Sequence, residues 1–437
     1  MKKGTKKWII ICAVILIAAA GIACWLIFGK EKPKAAESAG GAFRPALDTQ
    51  ITGSVNVVGH YDNFEALEAE FNLFNQIYPN VELKYTKLDN YSGTIGAALH
   101  SEEAPDIFFM YPSTVQRNEE AVMGAAENLA DEKLGMDLSC VRSGILYRDA
   151  EGQVPYVPIY AETYGMLVNE DLFKKEQIEI PKTYSQLLEA CEKLKAAGYA
   201  GPMMGYNDVS YLTFPLFYPY FCAGLQGNEE AVNALNAMGT GAGEYARSAL
   251  ELAADLYARG CVDLEASSQL EKDYDPVILR FFEGDVPMML AKAGTVSGTQ
   301  KRESKSEAFT AHPFRYSFRP VPSTEEGGYF LDVVSMGFAV NRNSKNLDLA
   351  NEFMRFMVRS EELNRIAQAK RMVTTSSDMS LDAIYSAFGE LSTDRIINPA
   401  KLGLIDAADA QVRRAGWQVS NGKLTVDEAV AAFGTLE

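Results

Sequence analysis

Histidine is nearly absent from this chain. His60, His100 and His312 are the three in 437 residues, too few and too scattered for a Ser-His-Asp triad or a histidine-based metal cluster. No Gly-x-Ser-x-Gly elbow and no phosphate-binding P-loop occurs. The run Gly239-Thr240-Gly241-Ala242-Gly243 follows a polar stretch rather than a strand, so it reads as a loop. Cysteine is sparse as well. Beyond residue 29 it is confined to Cys140, Cys191, Cys222 and Cys261. These lack the close-set pairs of a zinc site, and a fold this large does not need disulfide staples, so buried free thiols are expected. Positive charge is in deficit, with 41 Lys and Arg against 58 Asp and Glu and a net charge of −17. Such a surface repels nucleic acid and anionic headgroups, which excludes a nucleic-acid role. No cofactor, metal or catalytic residue is singled out, although 58 acids leave open a carboxylate pair at glycosidase spacing.

What is present is ample apolar residue, 47% with 11% aromatic, well clear of the disordered range. The length exceeds one ordinary domain and suits two lobes, each with its own core. Residues 1–7 carry Lys2, Lys3, Lys6 and Lys7, and residues 8–28 then run without a charge. This is an export signal of one of two kinds. A retained span needs about 20 apolar residues, which the stretch supplies, and the flanking lysines favour a cytoplasmic N-terminus. A lipoprotein signal would be cleaved before Cys24. The box Gly21-Ile22-Ala23-Cys24 is imperfect, however, and Trp25-Leu26-Ile27-Phe28 prolongs the apolar run beyond it. The retained anchor is therefore the expectation and lipidation at Cys24 the alternative. Either places the rest of the chain on the extracytoplasmic face. Residues 30–50, rich in Lys, Ala, Gly, Ser and Pro, read as a tether.

The fold proper is expected from residue 51. A strand at 55–58, a helix carrying Phe64, Leu67, Phe71 and Phe74 and capped by Asp62 or Asn63, and an alternating strand at 81–85 make a β-α-β unit. Residues 104–110 read as a buried strand. The most telling stretch is 157–198. Its left half runs extended with a proline, presents Tyr160, Glu162 and Tyr164, and becomes a strand again, as a connection between lobes would. Its right half is a helix, with Thr183 and Gln186 at capping-box spacing and Gly198 at the C-terminal cap. Leu250, Ala253, Ala254 and Tyr257 mark another helix, ended by Gly260. Residues 336–340 read as a strand, and Leu349, Ala350, Phe353, Phe356 and Met357 share a helix face. Thr425 and Glu428 form a second capping box.

Several of these stretches resemble the extracellular solute-binding protein family 1, the maltose-binding-like receptors of ABC importers. The resemblance rests on Leu167-Val168-Asn169-Glu170-Asp171-Leu172-Phe173, with Val168 where the family has Tyr, and on Pro181-Lys182-Thr183-Tyr184, with Tyr184 where it has Trp. It extends to Pro105-Asp106-Ile107, to the run from Phe281 through Gly284 to Met289, and to the Thr425–Glu428 helix start. It implies an α/β, two-lobed periplasmic-binding-protein-like fold, each lobe a central sheet flanked by helices, joined by a hinge. Residues 51–159 with 331–375 would form the first lobe, and 160–330 with 376–437 the second. It further implies a monomeric receptor that binds a sugar or oligosaccharide in the interlobe cleft and delivers it to ABC permease subunits by hinge closure. The rivals are a glycoside hydrolase and a sensory ligand-binding subunit.

Sugar binding needs aromatic faces for C–H surfaces and polar side chains for hydroxyls. Candidates fall on turns that would face the cleft. They are Tyr61 and Asp62 beside His60, Tyr111 and Ser113, and Glu162, which matches the place of the family's hinge acid. Asp208 and Tyr211 lie in the segment that in the family supplies a stacking aromatic. Lys292 and Thr295 stand where many relatives have a Trp that this chain lacks. Asp409 and Arg413 share a helix face, and Arg413 matches a ligand-contacting Arg of the family. Trp417 would stack on ligand or fill the core, and Asp106 is read as structural.

Overall fold

The computed structural model describes residues 42–62, 64–111, 120–209, 212, 214–270, 274–292, 296 and 302–436. Asn63, Ser113, Tyr211 and Thr295, together with the anchor stretch 8–28 and Cys24, lie outside these residues. Among the described residues no helix is long and apolar enough to cross a membrane. The chain from Phe43 onward forms one compact unit.

Strand β1 (Gly53–Gly59), helix α1 (Glu65–Phe74) and strand β2 (Val81–Lys87) form the expected β-α-β unit, with Gly53 opposite Val81 and Gly59 opposite Lys87 in parallel register. Val55, Val57 and Val58 of the strand and Leu67, Phe71 and Phe74 of the helix bury one another in the first core. The start of α1 departs from expectation. Phe64 is its N-cap, and no side chain caps it. The Asp62 carboxylate instead accepts a 2.7 Å hydrogen bond from Lys87 Nζ.

Helix α2 (Tyr91–Ala98) leads into β3 (Ile107–Met110), every residue of which is buried, as a strand covered on both faces requires. Asp106, immediately before it, is 1% exposed and accepts from the Asn56 backbone N–H at 2.7 Å, so it fastens β3 to β1. The same sheet takes in β4 (Val157–Glu162). After the single buried residue Thr163, the chain enters β5 (Tyr164–Asn169) in a second sheet.

That second sheet is completed by β6 (Met203–Met204), β7 (Met288–Lys292) and β8 (Tyr316–Arg319), in the order β6-β7-β5-β8. Helix α3 (Tyr184–Ala196) packs Leu187, Ala190, Cys191 and Leu194 into its core. Thr183 Oγ1 accepts from Gln186 N at 3.3 Å, as expected. The Gln186 amide reaches Lys182 N at 2.9 Å, one residue earlier than a full capping box requires. Gly198, at φ 102°, closes the helix in a conformation that L side chains rarely adopt. Helices α4 (Phe214–Leu225) and α5 (Arg247–Ala258) follow.

A small hairpin of β9 (Pro322–Thr324) and β10 (Gly327–Gly328) precedes β11 (Phe330–Leu331). Asp332 then separates β11 from β12 (Val333–Val340), which returns to the first sheet and gives it the order β2-β1-β3-β12-β4. Arg142 meets Asp332 in a buried ion pair and donates through Nε to the Thr374 carbonyl at 2.9 Å. Helices α6 (Leu347–Met357) and α7 (Ser360–Lys370) cover the first sheet, and the expected apolar face of α6 is buried throughout. Strand β13 (Ile396–Ile397) pairs in parallel with β11, and helices α8 (Asp406–Ser420) and α9 (Val426–Ala431) pack with α4 and α5 in a separate core. The α9 capping box is complete. Thr425 Oγ1 accepts from Glu428 N at 3.2 Å, and Glu428 Oε2 from Thr425 N at 2.8 Å. Of the four cysteines, Cys191, Cys222 and Cys261 are buried as expected, and Cys140 is half-buried.

Candidate functional site

The candidate residues gather in three groups. The first sits at the C-terminal ends of the parallel strands β1 and β3, the end of an α/β sheet where ligands bind. His60, Tyr61 and Asp62 follow β1, and Tyr111 follows β3. The His60 imidazole and the Tyr111 hydroxyl are hydrogen-bonded, and their rings meet edge-on at 5.0 Å. Tyr91, at the start of α2, meets Tyr111 edge-on from another side at 5.6 Å. His60, Lys87, Asn90, Tyr91 and Tyr111 line an open cavity of about 500 Å³. Burial and the nearby Lys87 ammonium lower the His60 pKa, so the ring stays neutral near neutral pH. Burial pushes the Tyr111 hydroxyl well above its ordinary range. A hydrogen bond from Lys87 holds the exposed Asp62 carboxylate below its usual value.

The second group lies where the chain passes between the sheets. Glu162, the last residue of β4, accepts from Ser335 Oγ at 3.1 Å and lies 3.3 Å from Lys292 Nζ. Register explains the encounter, because Glu162 stands opposite Val333 of β12, whereas Lys292 ends β7 opposite Tyr164. One residue of separation between β4 and β5 therefore puts the acid against the lysine. Tyr160, two residues earlier, packs its ring 6.0 Å from Phe64, which stacks on Tyr61 at 5.6 Å. This line of rings joins the first group to the second. The Tyr160 hydroxyl is buried without a hydrogen-bond partner among the described residues.

The third group is on α8. Asp409 and Arg413, one turn apart, form a 2.5 Å ion pair, and the Tyr218 hydroxyl donates to Asp409. The Arg413 guanidinium lies 5.7 Å from the Phe214 ring centre. That ring stacks on Tyr218 at 4.0 Å and meets Tyr164 edge-on at 4.5 Å. Tyr164 and Phe214 thus connect Arg413 to Glu162 and Lys292. Arg413 Nε is buried with no hydrogen-bond partner among the described residues. One further turn along α8, the Trp417 indole donates to Asn207 Oδ1 at 3.2 Å, and Lys423 Nζ sits 3.8 Å above its ring. Trp417 is therefore a half-buried anchor for the segment carrying Asp208 rather than a core residue.

Sequence reasoning named Asp62, Glu162 and Trp417 as candidates but not the residues that bond them, Lys87, Ser335 and Asn207. Lys87, Ser335 and Asn207 carry no local signal, since each earns its place through a contact far away in the chain. Phe214 and Tyr218 were missed too, and the signal that could have found them is their i, i+4 spacing within the aromatic-rich run Phe214-Pro215-Leu216-Phe217-Tyr218. Among the described residues no cluster of three or more His, Cys, Asp or Glu could hold a metal ion. Chemically, the arrangement offers aromatic edges and faces beside charged groups that already neutralise one another.

A family model described as bacterial extracellular solute-binding protein matches residues 59–363. No curated protein sequence matches the chain. Among solved structures, the apo form of RafE from Streptococcus pneumoniae aligns with a TM-score of 0.70 at 18% identity, covering 87% of this chain and 97% of that one. The GacH receptor of Streptomyces glaucescens, solved unliganded and with acarbose, gives 0.63 at 19% identity over 88% and 97% of the two chains. The binding protein MsmE of Bacillus subtilis, in an open conformation, gives 0.64 at 16% identity over 89% and 97%. These likenesses establish the two-lobed periplasmic-binding-protein fold. The matched family is one of solute-binding proteins and not of enzymes, so the hydrolase reading falls away.

Proposed function

Because the chain belongs to the bacterial extracellular solute-binding proteins, and so acts outside the cytoplasm, we propose that it captures a neutral sugar or oligosaccharide between its lobes and hands it to an ABC permease. In this reading residues 51–159 with 331–375 form one lobe and 160–330 with 376–437 the other. Residues 8–28 tether the protein to the membrane, either as a retained span or through a lipid on Cys24.

The observation that carries the proposal is the pairing of charge at the candidate site. Asp62 is paired with Lys87, Glu162 with Lys292, and Asp409 with Arg413. A charged solute would meet no net charge at these pairs to offset its own desolvation. A polyol needs only spare donors and acceptors, and each group has them, since an ionised carboxylate has about four lone-pair sites and a guanidinium five N–H donors. Tyr61, Tyr111 and Tyr164 supply the rings that sugar C–H faces favour. RafE has been solved with raffinose and GacH with acarbose, which supports an oligosaccharide over a single sugar. Tyr211, Ser113 and Thr295 remain part of the proposed lining.

A thermal-shift screen tests this. Neutral di- to tetrasaccharides, amino acids, peptides and anionic sugars are each added to the purified protein. A solute at a hundred times its Kd adds about 2.7 kcal/mol to stability, a readily measured upward shift. Neutral oligosaccharides are expected to give it. A shift with amino acids or peptides alone would sink the proposal.

A further inference from the structure

We propose that a cavity beside the junction of β11 and β12 binds a small neutral molecule with an apolar body and a primary amide or lactam. The cavity measures about 430 Å³, and none of the described sugar-site candidates lines it. Two buried charged residues do, Arg142 and Asp332, 9% and 3% exposed and held together as an ion pair. Both are fixed in place. Arg142 donates through its backbone N–H to the Thr375 carbonyl and through Nε to the Thr374 carbonyl, each at 2.9 Å. Its guanidinium lies 5.4 Å from the Phe388 ring centre. The Asp332 backbone N–H donates to the Ile397 carbonyl at 2.7 Å. Yet each side chain keeps one atom, Arg142 Nη2 and Asp332 Oδ1, buried without a hydrogen-bond partner among the described residues.

A buried donor or acceptor left unpaired is costly, and folded proteins leave few of them. Nη2 can donate and Oδ1 can accept, and they belong to groups already joined by one bond. Together they offer a donor and an acceptor side by side. The pair carries no net charge, so an ionised ligand would gain no counter-ion there. Much of the remaining wall is apolar, from Phe388, Met379, Leu391 and Ile396. Such a wall gives water few of the partners it needs and suits a ligand with an apolar body. The edge of a primary amide or lactam matches the two atoms, its carbonyl accepting from Nη2 and its N–H donating to Oδ1. The exposed residues Ser143, Ser377 and Thr393 form the mouth. This site stands whether or not the chain binds a sugar.

In the test, 3-phenylpropanamide, 3-phenylpropanoate and 3-phenylpropylamine are titrated against the full chain by ligand-observed saturation-transfer NMR. The three probes share one apolar body and differ in charge. The amide is expected to bind with a Kd on the order of 1 mM, as its size allows. The anion and the cation should each bind at least about tenfold more weakly. Thr393→Trp, which narrows the mouth, should weaken amide binding by about tenfold or more while the melting temperature stays near that of the parent. If Thr393→Trp fails to fold, Ser377→Trp, also exposed at the mouth, takes its place. No saturable binding of the amide up to about 20 mM, equal binding of either charged probe, or amide binding untouched by the tryptophan would each overturn the proposal.

Discussion

Glu162 and Arg413 each hold a partner and keep bonding capacity in reserve, which is what a residue needs if it is to grip a hydroxyl without being left unpaired when the site is empty. A charge-assisted hydrogen bond to a ligand contributes on the order of 1.5–3 kcal/mol. Glu162→Gln and Arg413→Ala should therefore each weaken sugar binding by roughly tenfold to a hundredfold. The ligand-free melting temperature is measured alongside. A large fall there, with affinity unchanged, would assign the residue to the fold. A different carboxylate makes a prediction about pH. Glu70, 1% exposed and paired with Arg365 at 2.7 Å, has its pKa raised to about 7, because burial outweighs the attraction of Arg365, and Glu362 and Glu361 add to the rise. The native state thus favours the protonated acid. The stability this contributes is complete below the unfolded value of about 4.5 and is lost as pH rises through about 7. Glu70→Gln stays neutral throughout. Its melting temperature relative to the parent should be higher at pH 8 than at pH 5, and an equal difference at both would contradict the shift.

Among the elements, α8 carries the most for the site, since Asp409, Arg413 and Trp417 all project from it. Its position is set by contact with α4. At Gly416 a Cβ would come within 2.2 Å of the Phe217 ring, so only glycine allows the helices to approach this closely. Gly416→Ala should destabilise the protein by about 1–3 kcal/mol through overpacking and weaken sugar binding by moving Arg413. Denaturant unfolding and a binding titration check the two effects, and a variant unchanged in both would show that α8 is not seated by this contact. The same scale shows what the sequence made legible. Helices α3, α6 and α9 were readable because caps and apolar spacing are local, and the crossing at Thr163 because a proline-broken strand, a polar pair and a second strand occur in a row. The start of α1 was misread because Asp62, a good cap by type, has Lys87 within reach across the parallel pair. The Glu162–Lys292 pair and the Trp417–Asn207 bond were beyond reading, since each depends on register or packing between segments with no shared pattern.

At the scale of the whole molecule, the chain passes from the first sheet into the second at Thr163 and from the small β11–β13 sheet back into the first at Asp332, and candidate residues flank the first of these points. In the proposed reading the lobes rotate about this short crossing, and a ligand bonded to both would favour the closed arrangement by its differential affinity for it. Glu162 and Lys292 lie at the crossing itself, Tyr61 and Tyr111 on one side, Arg413 on the other. The most direct test of this account is small-angle scattering from the protein with and without a saturating neutral oligosaccharide found in the thermal screen. A solute clasped between two lobes should reduce the radius of gyration. A bound sugar that leaves the radius of gyration unchanged would contradict the account.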